Sequence, residues 1–178
     1  MRHEIRFSGF GGQGIILAAV ILGRAAALYN GKYAVQTQVY GPEARGGASM
    51  SSVVIDDEPI LYPEVSVPDT YVIMSREGFE RYGAKAPKEA VMLIDPDMVE
   101  GRPECTFHEI PATSEARNTL GKVIVANIVM LGALVAATGI VSEDAIEKAV
   151  LDSVPKGTEK LNMSALRRGM ELVREKKG

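Results

Sequence analysis

One cysteine, two histidines and no tryptophan stand in this 178-residue chain. Cys105 alone cannot build a disulfide framework within the chain, nor can it supply the four thiolates that an iron–sulfur cluster needs. Cys105 and His108 are spaced three apart, but a two-ligand pair is not a closed metal site. His3 lies at the terminus and His108 stands beside Glu109 on an expected edge strand. A catalytic histidine needs an oriented partner, and the sequence supplies none, so both read as structural or exposed. Aromatics make up 6% of the residues, too few for a platform that stacks single-stranded nucleic acid. The net charge of −3 is spread along the chain without basic runs, which argues against a nucleic-acid surface. Residues 1–14 lack the long apolar core of a secretory leader, so none is expected. The longest uncharged run, Val123 to Ser142, approaches the length of a membrane span. Asn127 in its middle and its stripe of small residues make it a buried helix instead, and the chain reads as cytoplasmic, with no membrane and no nucleic-acid partner.

What the sequence does have is glycine, concentrated at one place. Glu4-Ile-Arg-Phe-Ser8 alternates as a strand, Gly9, Gly11, Gly12 and Gly14 follow, and Ile15 to Leu28 is an Ala- and Leu-rich helical run. A helix starting near Gln13 leaves backbone N–H groups free, which suits an anion or a carbonyl oxygen. The spacing Gly9-x-Gly11-x-x-Gly14 also matches the dinucleotide fingerprint. That fingerprint wants an acid about 20 positions further on, at the end of the second strand. Tyr33 to Val39 holds no carboxylate, and Glu43, the first acid, comes after Gly41-Pro42. A stand-alone dinucleotide-binding protein using the Gly9–Gly14 loop is therefore the competing reading, and a packing turn with no ligand is the plainest one.

A second glycine-bounded stretch runs Gln38-Val-Tyr-Gly-Pro-Glu-Ala-Arg-Gly-Gly47. It places Tyr40, Glu43 and Arg45 on a loop, where binding groups concentrate; a surface turn with an Arg–Glu pair explains them equally well. Strands are expected at Ala48 to Ile55, Thr70 to Ser75, Glu89 to Asp95 and Thr106 to Ile110, the last at an edge. Ile60-Leu-Tyr62 is expected to return as a hairpin partner after the Asp56–Pro59 turn. A short helix is expected at Glu77 to Tyr82. The C-terminal third reads as helical, in segments Thr113 to Thr138, Glu143 to Ser153 with Ser142 as cap, and Ala165 to Lys177 led in by Asn162 or Ser164. The basic cluster near its end reads as a solvated helix terminus. The fold class is α/β: a three-layer α/β/α arrangement with a mixed, mostly parallel sheet, in a single domain spanning 1–178.

No self-sufficient active site emerges. Ser49, Ser51 and Ser52 sit on a strand and lack a nucleophile elbow. Asp95 and Asp97 bracket Pro96 at a strand end, where turn chemistry explains them as well as a ligand would. Asn127, within an apolar helix, must find a partner, either the glycine loop or a subunit contact. Asn118 lies beside the same helix.

Together, Gly9-Phe-Gly-Gly-Gln-Gly14 and Gln38-Val-Tyr-Gly-Pro-Glu-Ala-Arg-Gly-Gly47 make the chain resemble the gamma subunit of 2-oxoacid:ferredoxin oxidoreductases, the unit called domain III in single-chain pyruvate enzymes. The resemblance covers nearly the whole chain, including Ile60-Leu-Tyr-Pro63, Pro68-Asp69 and Val123-Ile-Val-Ala-Asn127 through Leu131-Gly132. Phe10 and the Tyr-Gly-Pro-Glu-Ala-Arg-Gly-Gly form look more like 2-oxoglutarate or branched-chain members than pyruvate members. The resemblance implies a complex that oxidatively decarboxylates a 2-oxoacid, 2-oxoglutarate above others, with coenzyme A to an acyl-CoA while reducing ferredoxin. It implies thiamine diphosphate and Mg in partner alpha and beta subunits, iron–sulfur clusters in beta and a ferredoxin-like delta subunit, and no cofactor held by this chain alone. No catalytic residue and no metal ligand is expected here. The isolated chain is expected to be inactive and able to pair with itself. Gly11, Gly12, Gln13, Gly14, Tyr40, Glu43, Arg45 and Gly46 are the expected contacts to CoA or to a partner chain.

Overall fold

The computed structural model describes residues 1–39 and 47–176. Six strands form one sheet: β1 (His3–Gly9), β2 (Tyr33–Gln38), β3 (Ser49–Asp56), β4 (Thr70–Ile73), β5 (Val91–Ile94) and β6 (Thr106–Glu109). Their order is β2-β3-β1-β4-β5-β6. β1, β4, β5 and β6 are parallel neighbours, and β3 runs antiparallel between β1 and β2. The sheet is thus mixed and mostly parallel, as the alternation of strands and helices predicts. The predicted hairpin is different. Ile60-Leu61-Tyr62 forms no strand, because both edges of β3 are already taken by β1 and β2. Instead the stretch lies across β1, where Arg2 donates to the Tyr62 carbonyl at 2.8 Å and Arg6 to the Val65 carbonyl at 2.7 Å.

The two faces of the sheet are covered unequally. On one face Ile5, Phe7, Val53, Ile55, Val72 and Leu93 pack under α1 (Ile15–Arg24), α4 (Ala126–Thr138), α5 (Glu143–Ser153) and α6 (Glu159–Glu175). On the other, Tyr71, Ile73, Met92 and Ile94 meet Phe79, which follows the short α2 (Arg76–Gly78). α4 is buried without interruption from Ala126 to Val135, so it has no polar face at all and belongs inside the protein. Among the described residues, no helix is long and apolar enough to cross a membrane.

The predicted single helix from Thr113 to Thr138 is two. α3 (Ala112–Ser114) continues in a wide turn to Thr119, the chain reverses with Gly121 at φ 74°, and a 3₁₀ turn at Val123–Val125 leads into α4. The last helix starts at Glu159, ahead of the predicted start. Asn162 therefore lies inside it, its amide donating to the Thr158 carbonyl at 3.0 Å. Ser142 caps α5 as predicted, accepting from the Ala145 N–H at 3.2 Å.

Asp95 and Asp97 at the end of β5 serve as the cap of α3. Asp95 accepts from the Thr113 N–H at 2.9 Å, its hydroxyl at 2.6 Å and the Asp97 N–H at 3.0 Å; Asp97 accepts from the Ser114 N–H at 2.8 Å and from its hydroxyl. Burial raises the Asp95 carboxyl to about 6, outweighing the donors that favour its charged form.

Two outcomes follow from this packing. α4 and α6 touch backbone to backbone: a Cβ on Gly169 would overlap the Val129 carbonyl oxygen, and one on Gly132 the Leu166 carbonyl oxygen. Neither obstacle is a side chain that can turn away. Gly169→Ala should therefore cost about 2–3 kcal/mol, or roughly 5–10 °C in Tm, read by thermal unfolding. A change under about 1 °C would show that the helices part freely. For Asp95, the folded chain holds the extra proton between about 4 and about 6, so stability falls as pH rises through that window. Asp95→Asn removes this slope and also sets an NH₂ against an N–H donor. In denaturant titrations the variant should be less stable throughout, with a deficit that narrows from pH 4 to 6. A widening deficit would contradict the assignment.

Candidate functional site

The chain leaves β1 toward one side of the sheet, into α1 and β2, and later fills the other side with β4 to β6. The reversal falls between β1 and β4, and in open α/β sheets the crevice outside the strand ends at such a point is where ligands bind. The glycine turn occupies that position. Gln13 braces it. Its side-chain oxygen accepts from the Phe10 N–H at 2.8 Å, and its NH₂ donates to the Met74 carbonyl at 2.7 Å, just past the end of β4. Gln13 is thus half-buried and turned inward, holding the turn to the neighbouring strand.

Gly14 starts α1 at φ 75°, a conformation that an L side chain rarely adopts. Its carbonyl accepts the helical bond from the Ala18 N–H at 3.1 Å and a second bond from the Asn127 NH₂ at 2.9 Å. A Cβ at Gly14 would lie 2.5 Å from that amide nitrogen, so this residue is fixed twice as glycine. Of the two partners that sequence reading left open for Asn127, the structure supplies the glycine loop. The helix has no side-chain cap and no acid in its first turn, so its first N–H groups keep the positive end of the helix unmatched. Gly11 and Gly12 are exposed at the tip of the turn.

Besides a cleft of about 230 Å³ between Phe10, Gly14, Ile16 and Ser49, two more open beside this turn. One, of about 380 Å³, is lined by Phe10, Gly12, Gln13, Thr113, Arg117 and Ile124 among others. The other, of about 230 Å³, runs beneath Gly14 between Leu17, Ile124, Asn127, Pro155 and Leu161. Ile124 stands between them and is 67% exposed. A wider depression of about 550 Å³ lies at the opposite end, around Asn30, Lys32, Gly139 and Ser142, away from the strand ends that carry the glycine turn.

Tyr40, Glu43, Arg45 and Gly46 lie outside the described residues. The flanks of their segment are placed, however. Gln38 pairs with Ser51, and Ser49 pairs with Gly9 at the start of the glycine turn. Gly12 and Gly14 line one cleft with Ser49, two residues past the second glycine motif. Sequence reading missed Arg117, Val123 and Ile124, which line the same mouth, because it ran one helix through them. Gly121 was the available signal of a break.

The remaining candidates do not gather into a site. Cys105 is buried and burial pushes its thiol up, away from reactivity. Among the described residues no three His, Cys, Asp or Glu side chains group to hold a metal. Ser51 and Ser8 are buried in the sheet, where their hydroxyls donate to the Thr37 and Ser49 carbonyls. The topology also counts against a dinucleotide site. That site needs a parallel second strand beside β1, whereas here the neighbour is antiparallel β3, and β2 lies at the edge.

Residues 4–172 match the family described as pyruvate ferredoxin/flavodoxin oxidoreductase. The chain is 56% identical over 179 residues to a 2-oxoglutarate synthase subunit KorC of Methanocaldococcus jannaschii, covering 98% of this chain and 96% of that one. To a pyruvate synthase subunit PorC of Methanothermobacter thermautotrophicus it is 38% identical over 176 residues, covering 96% of this chain and 95% of the other. The gamma subunit of a keto/oxoacid ferredoxin oxidoreductase from Geobacter sulfurreducens superposes with a TM-score of 0.88 at 44% identity, covering 97% of this chain and 99% of that one. A 2-oxoglutarate:ferredoxin oxidoreductase from Magnetococcus marinus, solved with 2-oxoglutarate, coenzyme A and succinyl-CoA bound, shares the fold. Its TM-score is 0.85 at 22% identity, over 98% of this chain and 31% of that one. The chain belongs to the pyruvate ferredoxin/flavodoxin oxidoreductase family as a gamma subunit, of the 2-oxoglutarate type rather than the pyruvate type.

Proposed function

We propose that this chain works in a complex that converts 2-oxoglutarate and coenzyme A to succinyl-CoA and CO₂ while reducing ferredoxin. The observation that carries the reading is the 56% identity to a 2-oxoglutarate synthase subunit along 98% of the chain. In it, thiamine diphosphate, Mg and the iron–sulfur clusters belong to alpha, beta and delta partner subunits. This chain holds none of them, and by itself it is inactive. Its single cysteine cannot supply the four thiolates of an iron–sulfur cluster.

The chain's own part is to present the glycine-turn mouth to the catalytic chains and to coenzyme A. Gly11, Gly12 and the free N–H groups at the start of α1 offer donors to an anionic or carbonyl oxygen. Gln13 acts on that contact indirectly, by fixing the turn to Met74. In this reading Tyr40, Glu43, Arg45 and Gly46 also contact CoA or a partner chain, with the Arg45 guanidinium pairing with a phosphate or a partner carboxylate. This support for the reading is geometric: exposed donors, a braced loop, and Ser49 past the second glycine motif lining one cleft with Gly12 and Gly14.

Anaerobic co-purification with the thiamine-diphosphate and iron–sulfur chains, followed by ferredoxin-reduction assays, tests the assignment. 2-Oxoglutarate should be favoured over pyruvate by at least about tenfold in kcat/KM. Elution of the chain alone with a bound nucleotide would replace this reading with the dinucleotide one. Within the assembled complex, Arg45→Ala should raise the CoA KM or weaken subunit affinity; if both stay unchanged, Arg45 has no part. Gln13→Glu keeps an acceptor for the Phe10 N–H but sets a carboxylate against the Met74 carbonyl. It should raise the CoA KM and lower stability by about 1–3 kcal/mol.

A further inference from the structure

One edge of the sheet is guarded and the other is open. At the β6 edge Arg102 pairs with Glu109 at 2.6 Å, and Lys176 donates to the Glu109 carbonyl. β2 carries no such guard. Tyr33-Ala-Val-Gln-Thr-Gln38 holds no charge and no proline, the devices that keep a free edge from pairing. The register tells which of its backbone groups face outward. The Val39 N–H donates to the carbonyl of Met50, which continues the register of β2 on β3. By alternation Thr37, Val35 and Tyr33 also bond to β3, and the N–H and C=O groups of Ala34 and Gln36 point away from the sheet. Among the described residues these groups have no partner. Both sides of the edge are largely apolar. On the helix side Ala34 and Gln36 floor a groove of about 280 Å³ walled by Val20, Arg24, Ala27 and Leu28, with Leu28 60% exposed. On the other side stand Tyr33, 49% exposed, half-buried Val35 and exposed Thr37.

We infer that β2 is the seam of a two-fold dimer, in which it pairs antiparallel with β2 of a second copy of this chain and the two sheets become one. A two-fold axis through Val35 sets Ala34 opposite Gln36 of the second copy, and Gln36 opposite its Ala34. Four backbone hydrogen bonds then engage every outward group named above. On the face away from α1 the same axis sets Val35 against its own copy and Tyr33 against Thr37. Apolar and aromatic–β-branched pairs of this kind stabilise sheets. Three features select a second copy as the occupant. The open donors and acceptors alternate along the edge and need an extended strand, which neither a helix nor a small ligand supplies. β2 is uncharged, so its copy meets it without like-charge repulsion. A two-fold contact between identical edges is antiparallel by symmetry, so one strand serves as both halves. The groove beside the seam shares no residue with the three clefts at the glycine turn. The inference therefore stands apart from the proposed function and leaves the turn of each copy open.

The test uses the full chain by itself. Sedimentation velocity between about 1 and about 200 μM should show monomer passing to dimer, with a Kd on the order of 10 μM. Val35→Lys brings two ammonium groups together at the axis. Ala34→Pro removes an outward N–H that β3 does not use, a substitution an edge strand accepts. Each should weaken pairing about tenfold or more while keeping the circular dichroism of the unaltered chain, and if one variant loses its fold the other decides. Val35→Cys should give a covalent dimer under copper-phenanthroline oxidation. Facing residues of a non-hydrogen-bonded pair stand about 4.5 Å apart at Cα, within disulfide reach, and Cys105 is buried. Tyr33→Cys should not cross-link, because in this register its copy lies about 13 Å away along the strand. A chain that stays monomeric at about 200 μM would overturn the inference. So would a dimer that keeps its strength in both variants, or a Val35→Cys chain that cross-links no better than Tyr33→Cys. The proposed function is untouched by any of these results.

Discussion

The hydrogen bond from Asn127 to the Gly14 carbonyl joins the buried helix α4 to the exposed glycine turn. α4 is apolar all round except for Asn127, whose amide nitrogen reaches the turn while its oxygen accepts from the Ile128 N–H at 2.9 Å. An amide in that position would be a burden on the core if it were unpaired. Paired, it fixes the start of α1 relative to the core, and through Gln13 and Met74 it also fixes the end of β4. The turn is exposed and glycine-rich, yet every backbone group that sets its position is tied to a rigid element. That combination requires glycine twice: for the positive φ at Gly14, and for the room the Asn127 amide takes.

The same economy runs across the strand ends. Asp95, Asp97, Thr113 and Ser114 have the residue types of a catalytic cluster, but they are spent on one another, holding α3 against β5. Gln13 is spent on the turn. What remains open at the mouth is donors and cations: the N–H groups at the start of α1, Arg117 and Lys122. No carboxylate or imidazole among the described residues of the mouth is free to move a proton.

Much of this was legible in the sequence, and the reasons are local. Short β-branched runs such as Thr70 to Ile73 and Val91 to Ile94 read as buried parallel strands because nothing else of that composition fits between turn signals. The glycine turn, the Ser142 cap and the burial of Val125 to Val135 within the uncharged run were equally readable. Ile60-Leu-Tyr62 misled because strand propensity cannot say whether an edge is vacant; both edges of β3 were already taken by strands further away in the chain. The break at Gly121 was obscured by flanking segments that are both helical.

The unequal covering of the sheet explains why the mouth can be both open and stiff. All the long helices lie on one face, and two of them, α4 and α6, meet at glycines with their backbones in contact. Interiors packed this closely transmit displacement rather than absorb it. Ile124, at the entry to α4, is continuous with that core, because it directly precedes the buried Val125. Ile124 thus sits at the entry to the helix whose Asn127 holds the Gly14 carbonyl.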